Sequence, residues 1–205
     1  MNLHFRLSRD LQARDLRFPF PVTWTWTCGM HVLSHGGNRR VSGAGGQWHI
    51  PAEKLFSVSV SPGVEGHASG SLKFSSVDLP RAAEPDWATL EHVFRTRSRP
   101  FGLALAQEIF LQPERDWSLR EASDAIGVSE REIRTRLFRE DYAFASTVRR
   151  CRALHLLLGT LCDDFPNPSM PAHVMLTRQR ADSLLSRAFS VRLSALSKFR
   201  LPANR

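Results

Sequence analysis

The sequence predicts an α+β fold, with a small antiparallel β N-terminal domain followed by an all-α domain. Large apolar residues alternate strictly with threonines over residues 22–28 (VTWTWTC), the two-residue period of a strand with one buried face. From Trp87 onward the apolar spacing changes to three and four, as in helices with a single buried stripe. In that second part, Ser118 is followed three residues later by Glu121 and Ser129 by Glu132, two capping boxes flanking Gly127. They read as helix, tight turn, helix: a helix-turn-helix.

Residues 1–17 alternate arginines with Leu3, Phe5, Leu7, Leu11 and Leu16. An amphipathic helix, a disordered lead-in and an arm packed on the next segment all fit that pattern. After the strand at 22–28, Gly36-Gly-Asn38 and the glycine run ending at Gly46 signal turns. No Lys-Ser/Thr follows that run, so it predicts a turn and not a phosphate loop. Residues 47–50, 55–60 and 71–79 read as further strands, giving five or six short strands in all. Residues 80–86 form a linker, and Asp86 is placed to cap a helix over 87–96 that carries Trp87, Leu90, Val93 and Phe94 on one face. A helix over 101–111 follows, with Leu103, Ala106, Ile109 and Phe110 inward. A later one begins near Phe144 and buries the apolar run from Leu154 to Leu158. Pro166, Pro168 and Pro171 interrupt regular structure. Helical spacing returns over 172–200, with Leu184, Leu185, Ala188, Phe189 and Leu193 in one stripe. The expected domains are therefore 1–80, 81–100 (a linker helix region) and 101–205.

A formal net charge of +8 and a pI near 10.6 suggest a polyanionic partner. The charge is densest between Arg131 and Arg152, where seven arginines face three acids. Cys28, Cys151 and Cys162 are odd in number and lack metal spacing, which fits a reduced, cytoplasmic chain. No apolar run approaches the ~18 residues of a membrane span, and the arginine-bearing N-terminus does not read as a secretory signal. His31, His35, His49 and His67 lie in or near the strands without a His-x-His pair, so they read as structural, with no metal or other cofactor expected. Neither a Ser/His/Asp order nor paired carboxylates stand out, so an enzyme is not expected.

At about 100° per residue, the second helix of the helix-turn-helix points Ile133 and Leu137 inward. Arg131, Thr135 and Phe138 then face out, flanked by Arg134 and Arg139. An arginine can donate two hydrogen bonds to a guanine edge, and a threonine offers a hydroxyl or a methyl, so this face suits the major groove of double-stranded DNA.

The run SLREASDAIGVSEREIRTRLFRED, with Phe144 and Val148-Arg-Arg-Cys-Arg152 after it, resembles the DNA-binding domain of AraC-type transcription regulators over about residues 101–200. That family carries two helix-turn-helix units joined by a linker helix. The resemblance implies base reading by Arg131, Arg134 and Thr135. It implies the same for Asp182, Ser183, Ser186 and Arg187 on a second recognition helix that includes Ser186-Arg-Ala-Phe189. Phosphate contacts fall to Ser118, Arg139, Arg149, Arg150 and Arg152. The second unit diverges, because Arg178-Gln-Arg180 stands where the family has a Gly-Phe turn. The β-domain occupies the place of the family's sensing or dimerising arm. It looks short for a full cupin barrel, and an arm that binds another protein suits its size. The implied function is a sequence-specific transcription regulator, an activator, with a homodimer or protein co-regulator formed through the N-terminal domain. The alternative is a protein-interaction module that antagonises or partners another regulator without specific DNA binding of its own.

Overall fold

The computed structural model describes residues 1–42, 45–75, 84–162, 164–165 and 178–191. These residues form eight strands followed by six helices, an antiparallel β region and then a helical one. By packing, the chain divides into two compact units, Met1–Leu79 with Ala153–Arg205, and Pro80–Arg152.

The first unit holds two four-stranded antiparallel sheets. One is ordered β1 (Asn2–Leu7), β8 (Ala68–Phe74), β3 (Val22–Cys28) and β6 (Gly46–Ile50). The other is ordered β2 (Leu11–Leu16), β7 (Phe56–Ser61), β4 (Met30–His35) and β5 (Asn38–Ser42). The count exceeds the expected five or six because the opening residues are strands. Leu3, Phe5 and Leu7 are buried while their neighbours are exposed, so the period is two and not 3.6. The β4–β5 hairpin also escaped the sequence reading, since its exposed arginines hide the alternation. Phe5, Trp24, Trp26 and His31 form an aromatic cluster, with the His31 ring stacked on Trp26 at 6.1 Å between centroids.

His31 is fully buried. Its Nδ1 lies 3.4 Å from the Trp24 indole N–H and its Nε2 3.0 Å from the Cys28 carbonyl. That pairing fixes one neutral tautomer, in which Nδ1 accepts and Nε2 donates. Desolvation holds its pKa below the usual histidine value, partly opposed by the Cys28 carbonyl.

The last described helix, α6 (Arg178–Phe189), lies against β2 and buries Ala181, Leu185 and Phe189 at a spacing of four. Leu184 and Ala188 of the expected stripe are half-buried, while Leu193 lies outside the described residues.

The second unit is helical. α1 (Trp87–Thr96) begins as expected: Asp86 accepts from the Thr89 N–H at 2.9 Å and from its hydroxyl at 2.6 Å. Those two bonds hold the Asp86 carboxyl below the ordinary aspartate range. α1 packs on α3 and α2 through Leu90 and Val93, so it belongs to the helical core. α2 (Phe101–Leu111) is buried on most sides, although Leu103, expected inward, is half-buried. α5 (Phe144–Leu161) begins where the sequence placed it, and the boundary between the units falls within it, after Arg152.

Candidate nucleic-acid interface

α3 (Leu119–Ile126) and α4 (Glu130–Arg139) form the helix-turn-helix. Gly127 has φ 71° and ψ 38°, the left-handed conformation that lets α3 stop and the chain turn. Its N–H and that of Val128 both reach the Ser123 carbonyl, and the Ser123 hydroxyl donates to the Val128 carbonyl at 2.8 Å. Ala122, Ile126, Ile133 and Leu137 are each at most 1 % exposed, so the two helices share one dry seam.

α4 starts with a complete capping box. The Ser129 hydroxyl accepts from the Glu132 N–H, and the Glu132 carboxylate accepts from the Ser129 N–H at 2.8 Å. The expected box on α3 is only half made. Ser118 accepts from the Glu121 N–H at 3.1 Å, but the Glu121 carboxylate is held by the Arg115 guanidinium instead. A charged donor holds a carboxylate more strongly than a backbone amide does, which explains the exchange.

At its far end α4 is braced to α2. Pro100 precedes α2 and supplies no side-chain cap. The Glu140 carboxylate takes that place, accepting from the Gly102 N–H at 2.7 Å while pairing with Arg136 at 2.6 Å. A carboxylate also complements the partial positive charge at a helix start.

With both ends fixed, the outer face of α4 is defined. Arg131, Arg134, Thr135, Phe138 and Arg139 are exposed, Phe138 by 80 % of its surface. Among the described residues Arg131 and Arg139 make no hydrogen bond or ion pair, whereas Arg134 is paired with Glu130 at 2.7 Å. Beside α4, an open concavity of about 450 Å³ is lined by Phe94, Arg97, Arg131, Thr135, Arg136 and Arg139 with Glu132. Arg97 was not singled out from the sequence. The run Arg95-Thr-Arg-Ser-Arg99 was its visible signal, but only the packing of α1 brings it beside α4.

No protein-family model matches the sequence, and no curated protein matches it either. Solved structures do. ToxT from Vibrio cholerae superposes with a TM-score of 0.54 at 7 % identity, covering 96 % of this chain and 98 % of ToxT. A second ToxT structure, from strain O395, gives 0.52 at 10 % identity, covering 96 % and 98 %. Wild-type ToxT from strain SCE256 with an unsaturated fatty acid bound gives 0.52 at 6 % identity, covering 100 % and 97 %. This chain has the fold of ToxT, an AraC-family regulator. The likeness to ToxT spans both units, the strands as well as the helices, so the expected α+β class holds.

Within this ToxT-like fold the remaining candidates occupy different surroundings. Arg149 is exposed and donates to the Ser146 hydroxyl at 3.1 Å. Arg150 is half-buried, 5.9 Å over the Tyr142 ring. Arg152, expected on phosphate, is turned into the protein: its guanidinium donates to the carbonyls of Pro113 at 3.1 Å and Arg115 at 2.9 Å. It ties α5 to the loop before α3. Ser183, Ser186 and Arg187 are exposed on α6 and Asp182 is half-buried, all in the unit that holds the strands. The supporting helix of the expected second helix-turn-helix falls on residues outside those described. No helix among the described residues is long and apolar enough to cross a membrane.

Proposed function

We propose that the protein is a sequence-specific DNA-binding transcription regulator, an activator on the family analogy, and that α4 is its major-groove reader. The observation that carries this reading is the two-sidedness of α4. Ile133 and Leu137 are at most 1 % exposed while Arg131 and Thr135 stand out on the other side, on a helix capped at its start and braced at its end. A rod held so firmly loses little further freedom on docking. Arg131 is the leading base reader, because Arg134 must first give up Glu130. Arg97, Arg139 and Arg149 are the phosphate ligands of choice, and Arg152 is structural. A regulator of this kind works in the cytoplasm.

Selection of bound duplexes from a random pool tests the reading. An enriched motif that Arg131→Ala loses supports it, and binding without enrichment overturns it.

The second reading, a module that partners another regulator, draws support from α6. Its candidate readers share a unit with the strands, and α6 itself leans on β2. In that unit α6 covers β2 and Cys162 bridges to Phe5 of β1, so among the described residues β5 and β6 are the sheet edges suited to a second copy or a co-regulator.

A further inference from the structure

The far end of β3 and the loop between β7 and β8 bring together three groups that the sequence keeps apart. Cys28, Glu65 and His67 each offer one ligand atom, and all three atoms lie within 4.8 Å of one another. The Cys28 sulfur is 3.4 Å from a Glu65 carboxylate oxygen, and that same oxygen is 3.7 Å from His67 Nε2. Tetrahedral zinc with bonds of ~2.0–2.3 Å to O, N and S spans ligand pairs of roughly 3.3–3.6 Å. The two pairs that share the Glu65 oxygen are within a few tenths of an ångström of that spacing, and the sulfur and Nε2 lie within 4.8 Å of each other.

The backbone around the cluster is built to hold it. The register of β3 against β8 slips between Trp26 and Cys28, a bulge that re-aims the Cys28 side chain. Gly29 follows at φ +87°, so close to β8 that a Cβ there would sit 2.5 Å from the Ala68 Cβ. The loop opposite is closed by Gly63 N–H donating to the His67 carbonyl at 3.1 Å and Gly66 N–H to the Gly63 carbonyl at 2.9 Å. The His67 ring is oriented too. Its Nδ1 lies 3.3 Å from the Glu65 carbonyl and can only donate there, which leaves the Nε2 lone pair pointing at the cluster. A backbone carbonyl on the far ring nitrogen is the usual partner of a metal-ligating histidine.

We propose that Cys28, Glu65 and His67 form a three-ligand site for a borderline divalent cation, zinc above all, with a fourth position open to water or an outside ligand. The S, N and O set suits Zn²⁺ and does not suit Mg²⁺ or Ca²⁺, which take oxygen. His67 and Cys28 are half-buried and Glu65 is exposed, so an ion can enter from solvent. On binding, the thiol proton, now within reach of the Glu65 carboxylate at 3.4 Å and of the His67 carbonyl at 3.5 Å, leaves to solvent and the sulfur binds as thiolate. Because that proton must leave, binding strengthens as pH rises. The ion would clamp the β3–β4 turn to the β7–β8 loop. It would also reach the aromatic cluster, because the Cys28 carbonyl accepts from His31. Linear spacing hid the site: the only local sign was Glu65-Gly-His67, with the thiol 37 residues from Glu65.

The test uses the full chain, stripped of metal by a chelator. Titration with Co²⁺ should saturate at one equivalent and give a thiolate-to-cobalt charge-transfer band. Cys28→Ser should abolish the band while Cys162→Ser keeps it. Zn²⁺ affinity, read against a chromophoric chelator, should fall at least about tenfold in His67→Ala and in Glu65→Gln, a near-isosteric change at an exposed position. A band that survives in Cys28→Ser overturns the site, as does Zn²⁺ affinity unchanged in both Glu65→Gln and His67→Ala. So does the absence of any stoichiometric binding. Arg131→Ala should leave the metal titration untouched, which separates this site from the DNA-binding reading.

Discussion

Two helices in this chain, α4 and α6, carry a recognition-helix pattern, and their surroundings differ. α4 is fixed at its start by the Ser129–Glu132 box and at its end by Glu140, and its outer face is basic. α6 buries Ala181, Leu185 and Phe189 against the strand-bearing unit, and the residues it exposes include Ser183, Ser186 and a single candidate reader with positive charge, Arg187. The same spacing of apolar and polar residues thus serves two packings. What sets the two helices apart is the bracing at both ends and the basic outer face, and α4 has both.

The largest expected difference between the two is in specific binding. Arg131→Ala should cost about 1–3 kcal/mol on the selected duplex, measured by fluorescence anisotropy, and should relax discrimination at one base pair. Arg187→Ala should cost well under half of that. Equal losses would put α6 on the same footing as α4.

Acid should separate the two units next. His31 is neutral and buried in the strand-bearing unit, with its folded pKa below the unfolded value of about 6.5. The unfolded chain therefore binds the proton first. The stability contribution is intact above about pH 6.5 and is lost, by up to about 1.4 kcal/mol per pH unit, as pH falls toward the folded pKa. Denaturant titrations at pH 7.5 and 5.5 should show this slope, and His31→Gln should flatten it.

A smaller effect tests the caps. Ser129→Ala should destabilise the helical unit by about 1 kcal/mol, since it removes the hydroxyl half of a reciprocal pair. Ser118→Ala should cost less, because Glu121 stays with Arg115. Chemical denaturation of the two variants decides the order. The mildest change concerns salt. Arg139→Ala should lower the slope of log K against log salt by about 0.9, the signature of one lost phosphate contact. Arg152→Ala should leave that slope alone and lower the melting temperature.

Much of the helical unit was legible in the sequence because its signals are local. Asp86, Ser129 and Gly127 declare their roles through neighbours within four residues, and α1, α2 and α4 fall where those neighbours put them. The strands were harder to read. β1 pairs with β8 across some 70 residues, from Asn2 opposite Lys73 to Leu7 opposite Ala68, and no local pattern says so. Arginines on the exposed side of β1 and β2 also blurred a two-residue period that is plain once burial is known. Arg115 taking Glu121, and Arg152 turning inward, depend on which loop lies nearby and could not be read from spacing.

Glu140 has a consequence for genetics. It sits outside the proposed reading face, yet it ends one helix and starts another by accepting from Gly102, 38 residues earlier in the chain. A screen for variants that fail to regulate should therefore recover position 140 beside position 131. Only a melting curve will tell the damaged scaffold from the blunted fingertip.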